Sequence, residues 1–177
     1  MLTACQQDSL PRNFTEAEFP KQLSDWGSVL IKNRQLIVNK GVVAYDLNTP
    51  LFTDYAHKLR TIWVPEGQVG SYDAKQDIEL PVGSVVTKTF YYPKQDGQLL
   101  KTSSEAEAYT RAGLDLSKVH LIETRVMVRL ESGWQGLPYI WNTEQSDAVL
   151  EITGAVMHFE LNSNEEAEQI NYIVPDF

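Results

Sequence analysis

Along residues 120–131 apolar and polar side chains alternate almost without a break. Ile122, Thr124, Val126, Val128 and Leu130 fall on one side, and Glu123, Arg125, Met127, Arg129 and Glu131 on the other. A two-residue period of this length predicts a β-strand with one buried face. Residues 57–64 read the same way, with Leu59, Thr61 and Trp63 opposite Lys58, Arg60 and Ile62, and Pro65-Glu-Gly67 ends the run. Residues 84–92 are rich in β-branched and aromatic side chains, as strands are. Pro81-Val-Gly83 introduces that strand, Pro93 closes it, and Gln95-Asp-Gly97 supplies a hairpin-type turn. Shorter strands are predicted at 35–38, 134–141, 148–152, 156–161 and 170–174, with a turn at Asn48-Thr-Pro50.

Two segments break the β pattern. Residues 20–26 predict one helical turn ending at Gly27, anchored by Trp26, Leu30 and Ile31. Residues 103–113 predict a helix capped by Ser103 or Ser104, with Glu105 and Glu107 in its first turn and Gly113 as its C-cap. Strands joined by short turns predict a mainly β fold: an antiparallel β-sandwich or partly closed barrel with one or two short helices. Residues 21–177 read as a single β-rich domain, and the polar stretch before them, with Pro11 and Pro20, as a flexible leader.

A length of 177 residues and a hydrophobic content of 42% suit one domain with a real core. The net charge of −9 argues against sequence-independent nucleic-acid binding, which needs a basic face to displace counterions, and against docking on anionic lipid through charge. An acidic surface suits a basic partner, such as a basic electron carrier, although acidity also serves solubility. With a single cysteine there is no internal disulfide, no cysteine-rich metal site and no Cys-x-x-Cys-His haem attachment in the chain. No run of about 18 apolar residues is present.

The candidate chemistry is diffuse. Asp54, His57 and Arg60 gather at the entry to a strand, where Asp and His could share a metal or move a proton; the ordinary alternative is a polar cluster around Arg60. Glu123 and Arg125 share a strand face, either to bind a charged ligand or as a surface charge ladder. Tyr139 and Trp141 share a face and, with Trp134, could line a cleft or pack the core. Asn142, Gln145 and Asp147 form a polar turn that could be a loop site. His120 is expected to be solvated, and His158 half-buried or exposed. Three scattered histidines without ligand spacing predict no metal site, and no nucleophile elbow, phosphate loop or dinucleotide fingerprint marks a catalytic residue.

Two resemblances give these residues a setting. Leu2-Thr-Ala-Cys5 resembles the lipobox of bacterial lipoproteins, in which the cysteine carries the lipid. It implies lipidation at Cys5, with residues 1–20 a signal remnant and flexible tether, and a periplasmic or outer-membrane-anchored protein. Only Met1 to Ala4 precede the cysteine, so the basic and apolar regions of a signal peptide are expected upstream of this start. Four further segments occur in order: Tyr45-Asp-Leu-Asn-Thr-Pro-Leu-Phe-Thr-Asp-Tyr-Ala-His-Lys58; Pro81-Val-Gly-Ser-Val-Val-Thr-Lys-Thr-Phe-Tyr-Tyr-Pro93; Leu121-Ile-Glu-Thr-Arg-Val-Met-Val-Arg129 with Gly136-Leu-Pro-Tyr-Ile-Trp-Asn142; and Asn171-Tyr-Ile-Val-Pro175. Together they resemble the N-terminal, non-haem region of a family of secreted, often lipid-anchored, multi-domain c-type cytochromes of unassigned role. The likeness spans roughly residues 23–175, and residues 102–118 form a longer connection than that family has.

That resemblance implies a non-catalytic module that positions a c-type haem domain, in cis or in trans, or another redox partner. It implies no cofactor in this chain, haem c belonging only to a downstream region absent here. The alternative is a ligand- or metal-binding enzyme domain with a pocket near Asp54, His57, Arg60 and Trp141. A shorter stretch, Pro81-x-Gly-Ser-x-x-x-Lys88, is similar to a strand of P460-type haem proteins whose lysine can bond to the macrocycle; otherwise Lys88 is an ordinary exposed strand lysine.

Overall fold

The computed structural model describes residues 10–15, 18–74, 78–102, 113–163 and 166–176. Cys5 and the start of the tether lie outside the described residues, as does the helix expected at 103–113 apart from Gly113.

The fold is mainly β, as the alternation predicts. A 3-10 turn, Leu23–Trp26, precedes β1 (Val29–Lys32), β2 (Gln35–Val38) and β3 (Val43–Tyr45). The long strands are β4 (His57–Trp63), β5 (Val85–Gln95), β8 (Val119–Leu130) and β9 (Gly133–Trp141). Between and after them come β6 (Gln98–Leu100), β7 (Leu114–Asp115), β10 (Ala148–Leu150), β11 (Ala155–Asn162) and β12 (Ala167–Val174). A small sheet runs β1-β2-β7, and a large one β10-β9-β8-β5-β6-β11-β12, with β4 also on β5 and β3 on β4. The large sheet curls into a half-barrel. Its pairings are antiparallel except β6 with β11.

Both faces of the large sheet carry a core. On one face Leu59, Val85, Tyr91, Val126, Val128, Leu137 and Tyr139 pack against Leu23, Trp26, Val29, Leu36 and Leu114 of the 3-10 turn and small sheet. Two threonine pairs sit buried within that face, Thr61 on Thr87 at 2.6 Å and Thr89 on Thr124 at 2.8 Å, each hydroxyl satisfying the other. On the second face Phe90, Tyr92 and Ile122 pack against Leu161, Tyr172 and Val174 of the β11–β12 hairpin.

Four expectations need correction. Ile122 does not share a face with Thr124 and Val126. Phe90 pairs with Glu123 and Tyr91 with Leu121, so Ile122 is the extra residue of a β-bulge and turns into the second core. Pro93 does not close its strand. It faces Val119 at the point where β5 leaves β8 for β6, so its missing N–H costs no ladder bond in the body of the sheet. Val29, rather than Leu30, is buried beside Trp26, while Leu30 is half-buried. His120 is not solvated either: it lies on the second face, its ring 6.0 Å from that of Phe159, and burial pulls its pKa down, helped by the nearby Lys94 cation.

Gly113, expected to cap a helix, shows a different need. Its φ is +106°, and a Cβ there would lie 2.1 Å from the Leu36 carbonyl oxygen, so only glycine lets the chain meet β2.

Candidate functional site

Three neighbouring strands each place a cation at the same level of the second face. Arg60 of β4 lies opposite Lys88 of β5, and Lys88 lies opposite Arg125 of β8. One step along, Lys58 lies opposite Phe90 and Phe90 opposite Glu123. The Phe90 ring is therefore ringed by positive charge, with Arg125 4.7 Å, Lys88 5.9 Å and Lys58 6.0 Å from its centre. Tyr172, edge-on at 6.1 Å, completes its surroundings.

Glu123 has 0% exposure. Its Oε1 accepts from Arg125 Nε and, at 2.9 Å, from the Tyr172 hydroxyl. Its Oε2 is buried with no donor. Burial holds the carboxyl above its ordinary pKa, and the Arg125 cation only partly opposes this. Burial, with the adjoining carboxylate, also raises the Tyr172 phenol, which stays a donor. Lys88 is pulled downwards by burial and by the Arg60 and Arg125 cations beside it. It makes no ion pair among the described residues.

Arg60 is 3% exposed, yet only one of its nitrogens has a carboxylate: NH1 donates to Asp46 at 3.1 Å, and Asp46 is itself largely in solvent. Arg60 Nε is buried without an acceptor. Arg60, Lys88 and Arg125 thus stand side by side, with Asp46 on Arg60 and Glu123 on Arg125 as the paired carboxylates among the described residues, in a chain whose net charge is −9.

Beside β4 a cleft of about 190 Å³ opens, bounded by Arg60, His57, Lys58 and Thr102 on the strand side and by the 50–56 loop on the other. Lys58 Nζ donates to the Leu51 carbonyl at 2.6 Å and holds that loop down. Asp54 and Tyr55 adopt left-handed φ values of 41° and 62°, uncommon for a bulky residue, and the Tyr92 hydroxyl fixes the turn by donating to the Asp54 carbonyl at 3.0 Å. The Tyr55 ring packs edge-on with Phe52 and beneath Lys101, which pairs with Glu168 of β12. Leu51 and Phe52 stand 81% and 70% exposed at the cleft mouth.

The expected site residues separate into two groups. Arg60, Glu123 and Arg125 lie on this face, whereas His57 lies opposite Tyr91 of the first face. His57 lines the cleft, stacks on Tyr91 and has its Nε2 2.9 Å from the Thr102 carbonyl. Asp54 serves the turn through its backbone. The others lie elsewhere. Tyr139, on the opposite face, accepts from Trp26 Nε1 and donates to the Pro20 carbonyl, both at 2.8 Å; burial pushes its phenol up to about 12. Trp141 donates to Thr124 Oγ1 at 3.0 Å on that same face and is not among the residues that line this cleft with His57 and Arg60.

Asp147 binds the Ser24 amide and hydroxyl, and Asn142 holds Ser146, so both fasten the β9–β10 connection. Gln145 donates to the Leu121 carbonyl and accepts from its amide, standing in for a strand partner where β9 no longer pairs with β8. His158 is exposed and shares a 2.7 Å hydrogen bond with Asn171. Among the described residues no group of three His, Cys, Asp or Glu side chains could hold a metal, and no helix is long and apolar enough to cross a membrane.

Lys58, Phe90 and Tyr172 escaped sequence reasoning as members of this site, and Lys88 is singled out by the sequence only through the P460-type resemblance. Arg60 and Arg125 each sit on the polar side of a predicted strand, but only the register sets them beside Lys88. Comparison with protein-family models, with curated proteins and with solved structures found no match to this chain.

Proposed function

We propose that this chain is a non-catalytic binding module that positions a c-type haem domain or redox partner, tethered through Cys5 in the periplasm or at the outer membrane. One observation supports the reading: each of the four segments that carry the cytochrome resemblance, far apart in sequence, contributes side chains to the cleft and the polar cluster beside it. The first forms the cleft loop and supplies Arg60's neighbour Lys58. The second brings Lys88 and Phe90, the third Glu123 and Arg125, and the fourth Tyr172. The exposed Leu51 and Phe52 give the cleft mouth an apolar contact, as interface centres have.

The test is calorimetric titration of the chain against the haem-bearing region of its own gene product and against periplasmic c-type cytochromes. Saturable binding is expected, weakened about tenfold or more by Phe52→Ser, a change at an exposed side chain. Absence of binding to any of these haem proteins would remove the reading.

A further inference from the structure

The cation row is left with an unmet hydrogen bond among the described residues. Like charges directly opposite one another on a sheet repel, and here two such pairs share Lys88. The nearest carboxylate, Glu123, already gives one oxygen to Arg125 and Tyr172, and its other oxygen makes no bond to Lys88. Asp46 reaches only NH1 of Arg60. The buried Nε of Arg60 is left with no acceptor, although buried guanidinium groups are ordinarily satisfied and Nε belongs to the fork that grips planar oxyanions. The same arginine lines a cleft whose other wall is aromatic and apolar, with Phe52, Tyr55 and Leu51. In a chain with 24 acidic residues a desolvated arginine, a half-buried lysine and a second arginine thus stand in line on three adjacent strands, and the first of them, Arg60, lines a space a small molecule can enter.

We propose that Arg60, Lys88 and Arg125 form a binding site for an oxyanion, a carboxylate or phosphate group of a small molecule entering by the cleft beside β4. Arg60 Nε supplies the buried hydrogen bond and Lys88 a compact charge, while Arg125 contributes the donors that Glu123 does not occupy. Phe52 and Tyr55 cover the organic body of the ligand. The site does not depend on the haem-partner reading, and it stands or falls by small-molecule binding alone.

The experiment titrates the intact chain with inorganic phosphate and, separately, with succinate at low ionic strength, where screening is weakest. Saturable binding of one anion per chain, with a Kd below about 1 mM, is expected for at least one of the two. Phosphate alone assigns the site to phosphate groups, succinate alone to carboxylates. Lys88→Met should fold, since it removes a half-exposed charge that has no ion pair, and should weaken binding by about tenfold or more. Lys40→Ala, an exposed cation outside the strands, should leave the affinity unchanged. Saturable binding by neither anion, undiminished affinity in Lys88→Met, or an equal loss in Lys40→Ala would each overturn the proposal.

Discussion

At the scale of single residues, the chain's most consequential side chain is a buried carboxylate. Glu123 is held by two donors on one oxygen and by none on the other. Removing either donor therefore leaves a charge or an acceptor stranded away from water. Tyr172→Phe deletes one donor with no change of shape and should lower stability by about 1–3 kcal/mol in chemical denaturation. Combined with Glu123→Gln in a double-mutant cycle, it should show a coupling of about 0.5–3 kcal/mol; additive effects would mean that the Tyr172 bond contributes nothing to the fold. Arg60 repeats the lesson from the cationic side. Its charge was visible on the polar face of a predicted strand, but its burial was not, because the cover comes from the 50–56 loop and neighbouring strands rather than from β4 itself.

At the scale of elements, one extra residue decides which core each end of β8 serves. From Thr124 onward the two-residue alternation is faithful, and Val126 and Val128 enter the first core. Before Glu123 the bulge shifts the phase by one, so Leu121 and Val119 stay on that first face while Ile122 joins the second. Gln145 then bonds the Leu121 backbone in place of the missing strand. Deleting Ile122 should remove the bulge and restore plain alternation, with Leu121 and Val119 still on the first face and only the Ile122 side chain lost from the second core. The expected result is a thermal transition, followed by tryptophan fluorescence, that stays cooperative but is weakened by about 2–5 kcal/mol, as for a deleted buried side chain. Loss of the cooperative transition would refute this account of the bulge. Alternation alone carried no trace of the phase shift, since Ile122 is apolar and fits either face.

At the scale of the whole molecule, two buried titrating groups pull stability in opposite directions with pH. His120 is held below its ordinary 6.5, so between its lowered value and 6.5 the unfolded chain binds more protons, and stability falls as pH falls through that window. Glu123 is held above its ordinary 4.5, so between 4.5 and its raised value the folded chain binds more protons, and stability rises as pH falls. Urea melts from pH 7 down to pH 4.5 should show a shallower acid loss in His120→Gln than in the wild type, and a steeper one in Glu123→Gln. Slopes that change in the same direction for both variants would contradict the opposed linkage. The charge of −9 has its counterpart here: acidic residues outnumber basic ones in the chain, yet Arg60, Lys88 and Arg125 stand in a row on the second face.

The order of polar and apolar residues determined, by itself, that this chain is mainly β, where β4, β8 and β9 run, and which side of β4 and β8 bears charge, because side-chain direction in a strand follows from a fixed period of two. It also put Tyr139 and Trp141 on a common face. Tertiary structure alone decided that this face is core, that Ile122 changes sides, and that Arg60, Lys88 and Arg125 form a row. It also decided that Tyr172 reaches Glu123, 49 positions away in sequence. The physical reason is register: the period of a strand is a local property of its residues, while the pairing of strands depends on bulges, proline positions and the curl of the sheet as a whole.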